Sequence, residues 1–251
     1  MAFRNAYESH EHSLQTLNLI YGYDSFLDSL SRIADFGCGA GLDTEWWATL
    51  ETRDDPPEPR NYQVFAVDQD TTQMHEHVSE LPNVKVIQAD LEHQDFFLGN
   101  LDLVWCHNVF QYITNPLKTL QNWNKMMSKD GMLVLSFPQS IHYQYNRIQN
   151  NSYSGVYYNH NAVTLMYMLA VNGFDCRDAY FYRNPTNHWL FAAVYKSEAE
   201  PLDPRTATWN TLVDLDLVND SVKESINKYN YVKQEDIVTT WLDRDFYVMR
   251  E

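Results

Sequence analysis

The stretch RIADFGCGAGLDTEWW, residues 32–47, places three of the chain's eight glycines at alternate positions directly after a short apolar segment. The segment RIADF is typical of a buried strand, and LDTEWWATLE, residues 42–51, has the pattern of a helix. A strand that turns sharply into a helix needs positive φ angles, which glycine adopts without steric cost. Because such a turn also lets a ligand approach the backbone at the start of the helix, the stretch predicts a ligand-binding strand-turn-helix unit.

The same alternation of strands and helices continues along the chain. Strands are predicted at 62–68, 83–90, 101–106, 131–137, 174–183 and 188–196, and helices at 71–81, 116–127 and 162–174. A surface insertion is expected at 52–61, where three prolines and several charges disfavour regular structure. Such alternation favours an α/β fold with a doubly wound, mostly parallel sheet that carries helices on both faces. A sheet of this kind binds ligands beyond the carboxyl ends of its strands.

Composition narrows the choice of partners and compartment. The formal net charge of −16 disfavours nucleic acid, because affinity for a phosphate backbone comes largely from lysine and arginine. The sequence contains no apolar run long enough to cross a bilayer and no N-terminal signal pattern, so we expect a cytoplasmic protein. The three cysteines are too few and too scattered for a disulfide framework or a structural zinc site, and no metal site is expected.

The spacing of the glycines separates two classes of ligand. A dinucleotide fingerprint G-x-G-x-x-G would need its third glycine at position 42, where the chain has Leu42. The segment DFGCGAG, residues 35–41, instead resembles the first motif of the class I S-adenosylmethionine-dependent methyltransferases, an acidic residue followed by G-x-G-x-G. This resemblance implies a Rossmann-like, seven-stranded sheet with an antiparallel final strand. It also implies that the cofactor-binding residues of the turn are Asp35, Gly37, Cys38, Gly39 and Gly41.

Later segments extend the resemblance over roughly residues 31–140. The resemblance implies that Asp68, at the end of VFAVD, holds the ribose hydroxyls with Gln69 beside it, because a carboxylate accepts the two hydrogen bonds of a vicinal diol. It implies that Asp90 accepts from the adenine amino group and that Leu91 flanks the purine. The segment WCHNVFQYITNP, residues 105–116, resembles the part of the family that lines the cofactor and opens toward the substrate, and His107 belongs to it.

Two departures accompany these matches. The gap between Gly41 and Asp68 is longer than the roughly twenty residues usual between a glycine turn and the ribose acid, and the insertion at 52–61 accounts for it. The chain has CHNVFQ, residues 106–111, where amino-methylating DNA enzymes carry an Asn-or-Asp-Pro-Pro-aromatic motif. Together with the acidic charge, this favours a small-molecule methyl acceptor. The resemblance itself implies S-adenosylmethionine as cofactor and S-adenosylhomocysteine as product.

The candidates for proton removal are His107, which follows the fourth strand directly, and then His142 and Tyr143, which lie just past the fifth strand. A base is needed only when the acceptor is a hydroxyl or a protonated amine. For His107 the alternative is a contact with the cofactor through the backbone alone. For His142 and Tyr143 the alternative is an aromatic-packed loop. The atom that is methylated, O, N or C, stays open.

The predicted organisation is a helical cap at 1–30, a cofactor-binding methyltransferase domain at 31–197 and an acidic extension at 198–251. A second hypothesis is a catalytically silent relative that serves as a cofactor-binding or partner subunit, which the acidic extension motivates. A minor third hypothesis is aminopropyl transfer on the same fold. That reaction usually needs a cluster of acids for its polyamine, and CHNVFQ supplies none.

Overall fold

The computed structural model describes residues 23–93, 96–138, 160–183 and 189–232. Its helices are α1 (Tyr23–Asp28), α2 (Leu42–Thr49), α3 (Glu76–Ser79), α4 (Pro116–Met126), α5 (Ala162–Val171), α6 (Trp209–Asp214) and α7 (Asp220–Tyr229). Its strands are β1 (Arg32–Phe36), β2 (Gln63–Asp68), β3 (Val84–Gln88), β4 (Leu101–His107), β5 (Met127–Pro138), β6 (Phe174–Arg183) and β7 (Trp189–Lys196). None of the helices in these described ranges has both the length and the apolar character needed to span a bilayer.

The strands form one seven-stranded sheet in the order β3-β2-β1-β4-β5-β7-β6. The pairs among β1 to β5 are parallel, whereas β7 runs antiparallel to both β5 and β6. The predicted fold class is therefore confirmed, including the antiparallel final strand. In this order β2 and β3 lie on one side of β1, whereas β4 and the later strands lie on the other side. This reversal creates a crevice at the carboxyl ends of β1 and β4, where open α/β sheets bind ligands.

The central strands β1, β2 and β4 are mostly buried and rich in apolar residues, as expected for a parallel sheet that is covered on both faces. Along β4, Leu103 and Trp105 pack into the core of one face together with Trp47 of α2. Val104 and Cys106 of the same strand pack into the core of the opposite face. Alternate side chains of one strand thus belong to different cores, and this alternation decides on which side of the crevice each terminal side chain lies.

The segment after β2 differs from the predicted helix over 71–81. A single 3-10 turn, Thr71–Gln73, is capped by Asp70, and the short helix α3 follows. The backbone of Met74 and His75 is extended between them. His75 N donates to the carbonyl of Ala40, and this bond to the glycine turn draws the chain out of a helical path.

The predicted extension packs onto the sheet in the part that the structure describes. Cys176 N of β6 donates to the carbonyl of Leu217, and Cys176 forms an isolated parallel bridge with Val218. Leu212 of α6 and Val222 of α7 are fully buried in the same core as Val104 and Cys106. These contacts cover the edge strand β6, which protects its unpaired backbone groups. Of the predicted N-terminal cap, the structure describes only α1 and the short turn after it, so the division into three parts stays a prediction.

Candidate active site

A cavity of about 320 Å³ lies at the carboxyl ends of β1 to β4. It falls within the size range of small-molecule sites, roughly 300–1,000 Å³. Each of the four strands delivers lining residues directly at or after its last position. The lining residues are Gly37, Asp68, Gln69, Asp90, Leu91, Glu92, Asn108, Val109, Tyr112 and Ile113.

The glycine turn between β1 and α2 uses positive φ at all three glycines, namely 81° at Gly37, 50° at Gly39 and 87° at Gly41. A Cβ built on Gly37 would lie 2.1 Å from Val109 Cγ2, so the turn packs tightly against the β4 side of the cavity. A Cβ built on Gly39 would meet nothing within 4 Å. The turn is therefore closely packed at its first glycine and open at its second, which is the arrangement that lets a ligand approach the backbone.

Asp68, the last residue of β2, ties the turn to the neighbouring strand. Its Oδ2 accepts a hydrogen bond of 3.0 Å from Gly39 N, and its Oδ1 accepts one of 3.0 Å from Asp70 N. An ionised carboxylate has about four acceptor positions, so two are left for other donors. The side chain is therefore held in place by the fold and still has acceptor capacity toward the cavity.

The other two walls follow β3 and β4. Asp90 Oδ1 accepts from Glu92 N at 2.9 Å, and the Leu91 carbonyl accepts from Trp123 Nε1 of α4 at 3.1 Å. After β4, Asn108 adopts the left-handed conformation with φ 60°. Its N–H donates to the Ser136 carbonyl at 2.6 Å. The chain therefore bends sharply at the end of β4 and brings the next residues over the cavity.

Asp35 lies beneath the glycine turn and is only 2% exposed. Thr44 Oγ1 donates a hydrogen bond of 2.6 Å to Asp35 Oδ2. Burial raises the pKa of the Asp35 carboxyl well above its ordinary value, and the Asp43 and Asp68 carboxylates raise it further, while the hydrogen bonds from Thr44 oppose the rise. The carboxyl thus supports the strand-to-helix turn from below and does not line the cavity.

This pKa predicts a pH dependence of stability that Asp35→Asn removes. Above about pH 4 the unfolded chain releases the Asp35 proton, whereas the folded chain keeps it up to the raised pKa. Because the folded state then binds more protons, the free energy of unfolding falls as pH rises through that window, by at most about 1.4 kcal/mol per pH unit for one group. We expect the difference in urea unfolding free energy, wild type minus D35N, to fall over the same window. A pH-independent difference would contradict the prediction.

His107, the last residue of β4, lies on the face of the sheet that carries Trp105. Its Nδ1 is 3.6 Å from Asp43 Oδ2, and both side chains are largely buried, at 10% and 14% exposure. Trp105 Nε1 donates a 2.6 Å hydrogen bond to the same Asp43 oxygen. The imidazole is therefore held beside a carboxylate from the first turn of α2, and His107 does not line the cavity described above.

The structure brings five of the predicted cofactor residues together around this cavity: Gly37, Asp68, Gln69, Asp90 and Leu91. It places the others beside or beneath the turn, and the cavity lining does not include them: Asp35, Cys38, Gly39, Gly41 and His107. His142 and Tyr143 lie outside the described residues. The roles of all these residues stay predictions.

Several residues at the site were not singled out from the sequence. Asn108, Val109, Tyr112 and Ile113 belong to the segment that was expected to line the cofactor, but nothing in its composition distinguished them. For Glu92, one sequence feature could have predicted a place at the site, namely its position two residues after Asp90. Asp43 carried none, because its contacts depend on which face of β4 meets α2.

A seven-stranded sheet of this strand order, with a cavity at its switch point, is a Rossmann-like fold. Residues 34–135 match the family model described as a methyltransferase domain. This match covers less than half of the chain, and it supports the class I S-adenosylmethionine-dependent methyltransferase family that the sequence resembles.

Two curated relatives are similar to part of this chain. The chain is 30% identical over 115 residues to a trans-aconitate 2-methyltransferase of Rhodopseudomonas palustris, in a match that covers 46% of this chain and 41% of the relative. A second such enzyme from another strain of that species is 28% identical over 116 residues, covering 46% of this chain and 42% of that protein. The chain thus spans about two fifths of the length of the curated relatives it matches.

Among solved structures, one similar fold is a putative sarcosine dimethylglycine methyltransferase from Galdieria sulphuraria. The TM-score is 0.57 at 11% identity, and the match covers 75% of this chain and 84% of that one. Likewise, the structural match to a Burkholderia thailandensis 1,6-didemethyltoxoflavin N1-methyltransferase, solved with bound 1,6-didemethyltoxoflavin and S-adenosylhomocysteine, has a TM-score of 0.53 at 15% identity. That match covers 78% of this chain and 88% of that chain. At these identities the likeness establishes the fold.

Proposed function

We propose that this protein binds S-adenosylmethionine in the cavity at the ends of β1 to β4 and transfers its methyl group to a small-molecule acceptor. One observation carries the proposal: the glycine turn, Asp68 and the Asp90–Leu91 pair, which lie up to 54 positions apart in the chain, line one cavity. The relatives named above are methyltransferases, and the solved Burkholderia enzyme holds S-adenosylhomocysteine. Both facts support the same cofactor here.

The chemistry of the lining fits this cofactor. Asp68 is held by two backbone N–H groups and keeps acceptor capacity for a pair of ribose hydroxyls. Leu91, Val109 and Ile113 are apolar and suit the faces of a flat base, while Asp90 offers acceptors for an exocyclic amine. The open space at Gly39 supports close approach of a ligand to the backbone.

The residues of the chain have a limited task in this reaction. The bound cofactor supplies the electrophile, a methyl group on a sulfonium sulfur. The protein has to hold the acceptor in line with that methyl and exclude water. Three carboxylates in the lining, Asp68, Asp90 and Glu92, give the site a negative potential that favours a cationic ligand. For a hydroxyl or protonated amine acceptor, we propose His107 as the first proton acceptor and His142 and Tyr143 as the alternatives.

The negative potential of the cavity and of the whole chain disfavours nucleic acid as the acceptor. None of the cavity-lining residues that the structure describes is lysine or arginine. A polyanion such as nucleic acid would meet the lining carboxylates and a chain of net charge −16. The acidic lining therefore supports the small-molecule acceptor that the sequence predicted.

Isothermal titration with S-adenosylhomocysteine tests the cofactor and the site together. We expect micromolar binding by the wild type, and a loss of about 1–3 kcal/mol, or about fivefold to 150-fold in affinity, for Asp68→Ala, because a buried polar partner loses its acceptor. Asp70→Ala is the matched control, since this neighbouring acid caps the next turn and does not line the cavity. NAD is the control ligand.

The outcomes separate the competing functions. Binding that D68A weakens, followed by product formation in an acceptor screen, supports the enzyme. Binding without turnover of any acceptor favours the catalytically silent cofactor-binding or partner subunit. Absence of S-adenosylhomocysteine binding by the folded wild type overturns the proposal, because the glycine turn is then purely architectural.

A further inference from the structure

Glu92 joins two walls of the cavity through three hydrogen bonds. Its Oε1 accepts from Thr114 N at 2.9 Å, and its Oε2 accepts from Thr114 Oγ1 at 2.6 Å and from Asn115 N at 2.8 Å. We call this group of three residues the Glu92 clamp. It spans 23 positions of the chain, from the loop after β3 to Asn115, the residue that caps α4.

The residues adjoining the clamp on each side line the cavity. Asp90 and Leu91 precede Glu92 on the β3 side, and Tyr112 and Ile113 precede Thr114 on the β4 side. Because peptide geometry couples adjacent residues, fixing Glu92 against Thr114 fixes the distance between these two walls. A further hydrogen bond links the β3 side to α4, because Trp123 Nε1 donates to the Leu91 carbonyl at 3.1 Å.

Helix capping alone does not account for the clamp. The side chain of Asn115 already caps α4 by accepting from Lys118 N at 3.2 Å. Glu92 accepts from three donors on the two residues before the first turn of the helix, and both of its oxygens are engaged. Burial of Glu92 raises the pKa of its carboxyl, but the hydrogen bonds from Thr114 and Asn115 outweigh that effect and lower the pKa. The side chain is therefore ionised at neutral pH, and charge-assisted bonds of this kind are stronger than neutral ones.

We propose that Glu92 is a positioning residue for the cofactor, holding the Tyr112–Ile113 wall at the distance from the Asp90–Leu91 wall that a flat purine requires. This role rests on the proposed function, because it needs the base of S-adenosylmethionine to lie between the two walls. Leu91 on one side and Ile113 on the other supply the apolar faces of the slot. Without the clamp, the slot widens and the base has to order the loop on binding, which costs affinity.

Titration with S-adenosylhomocysteine tests the proposal on three variants. Glu92→Ala is expected to lower the affinity about tenfold to a hundredfold, the range for losing hydrogen bonds that involve a charged group. Glu92→Gln keeps the shape and one carbonyl acceptor, but its amide N–H₂ faces the other backbone N–H, so it should recover only part of the affinity that Glu92→Ala loses. Thr114→Val removes only the hydroxyl donor, and the double variant E92A/T114V should bind no more weakly than E92A, because both substitutions break the same clamp.

Asp203→Ala is the matched control. Asp203 also accepts a backbone N–H and pairs with an arginine two residues on, but it lies in the exposed turn before α6 and does not line the cavity. We expect it to bind S-adenosylhomocysteine as the wild type does. Amide hydrogen exchange of Thr114 and Asn115 in the absence of ligand measures whether the clamp is formed, independently of cofactor binding. E92A should accelerate this exchange.

If wild type and E92A bind S-adenosylhomocysteine equally well, the positioning role of Glu92 is overturned and the proposed function is not. Additive losses in E92A and T114V, or a loss in E92Q as large as that in E92A, would also overturn this positioning role. No binding by the folded wild type would overturn the proposed function and the cofactor role of the clamp together. If E92A does not fold, as judged by circular dichroism, E92Q and T114V still decide the question through their order of affinity.

Discussion

Gly37→Ala is expected to destabilise the fold by about 2–5 kcal/mol and to reduce S-adenosylhomocysteine affinity at least tenfold, because backbone strain and overpacking add. Gly37 has φ 81°, which side chains larger than hydrogen disfavour. Its added Cβ would also lie 2.1 Å from Val109 Cγ2 and 2.9 Å from Val109 Cβ. A change of the valine rotamer moves the first atom but not the second, so the turn or the cavity wall has to shift. Urea unfolding and isothermal titration measure the two effects.

Gly39→Ala is the control in the same turn. Gly39 also has positive φ, at 50°, but its added Cβ would meet nothing within 4 Å. We expect it to cost about 1–2 kcal/mol of stability, the strain alone. The double variant G37A/V109A should recover part of the loss in G37A, since it removes the two valine methyl groups that the new Cβ approaches. Equal losses in G37A and G39A, or no recovery in the double variant, would contradict the packing argument.

The fold and five of the ten residues that line the cavity could be predicted from the sequence, because they depend on local signals. The glycine turn and the acid that ends β2 are both defined by a few adjacent residues, and Gly37, Asp68 and Asp90 indeed meet at one cavity. The segment over 71–81 was mispredicted as one helix because a hydrogen bond from His75 N to Ala40, 35 positions away, overrides its local pattern.

The details of the site depend on contacts that no local pattern encodes. Glu92 is an ordinary acidic residue in the sequence, and its role appears only when Thr114 and Asn115 lie beside it. The environment of His107 likewise depends on a partner 64 positions earlier, since Asp43 reaches it only because α2 packs on the Trp105 face of β4. Strand ends can be predicted from apolar runs, whereas the partners of a terminal side chain are fixed by which helices cover each face.

The position of His107 beside Asp43 leads to a prediction for kcat. The Asp43 carboxylate, 3.6 Å from Nδ1, favours the imidazolium that forms when the ring accepts a proton. For an acceptor with a hydroxyl or a protonated amine, we expect His107→Asn to lower kcat about 10²-fold to 10⁴-fold, the range for losing a general base. The affinity for S-adenosylhomocysteine should change little, because His107 does not line the cavity. Steady-state kinetics and titration on the same preparation measure both.

His77→Asn is the matched control for this prediction. His77 also lies beside a carboxylate, with Nε2 3.2 Å from Glu45 Oε1, but its side chain is 62% exposed and belongs to the outer surface of α3. Its substitution should leave kcat unchanged. Asp43→Asn should lower kcat by a smaller factor than H107N, since it weakens the support of the imidazole without removing the proton acceptor. An unchanged kcat in H107N would mean that this residue contributes only its backbone to the site, and proton removal would then rest with His142 or Tyr143.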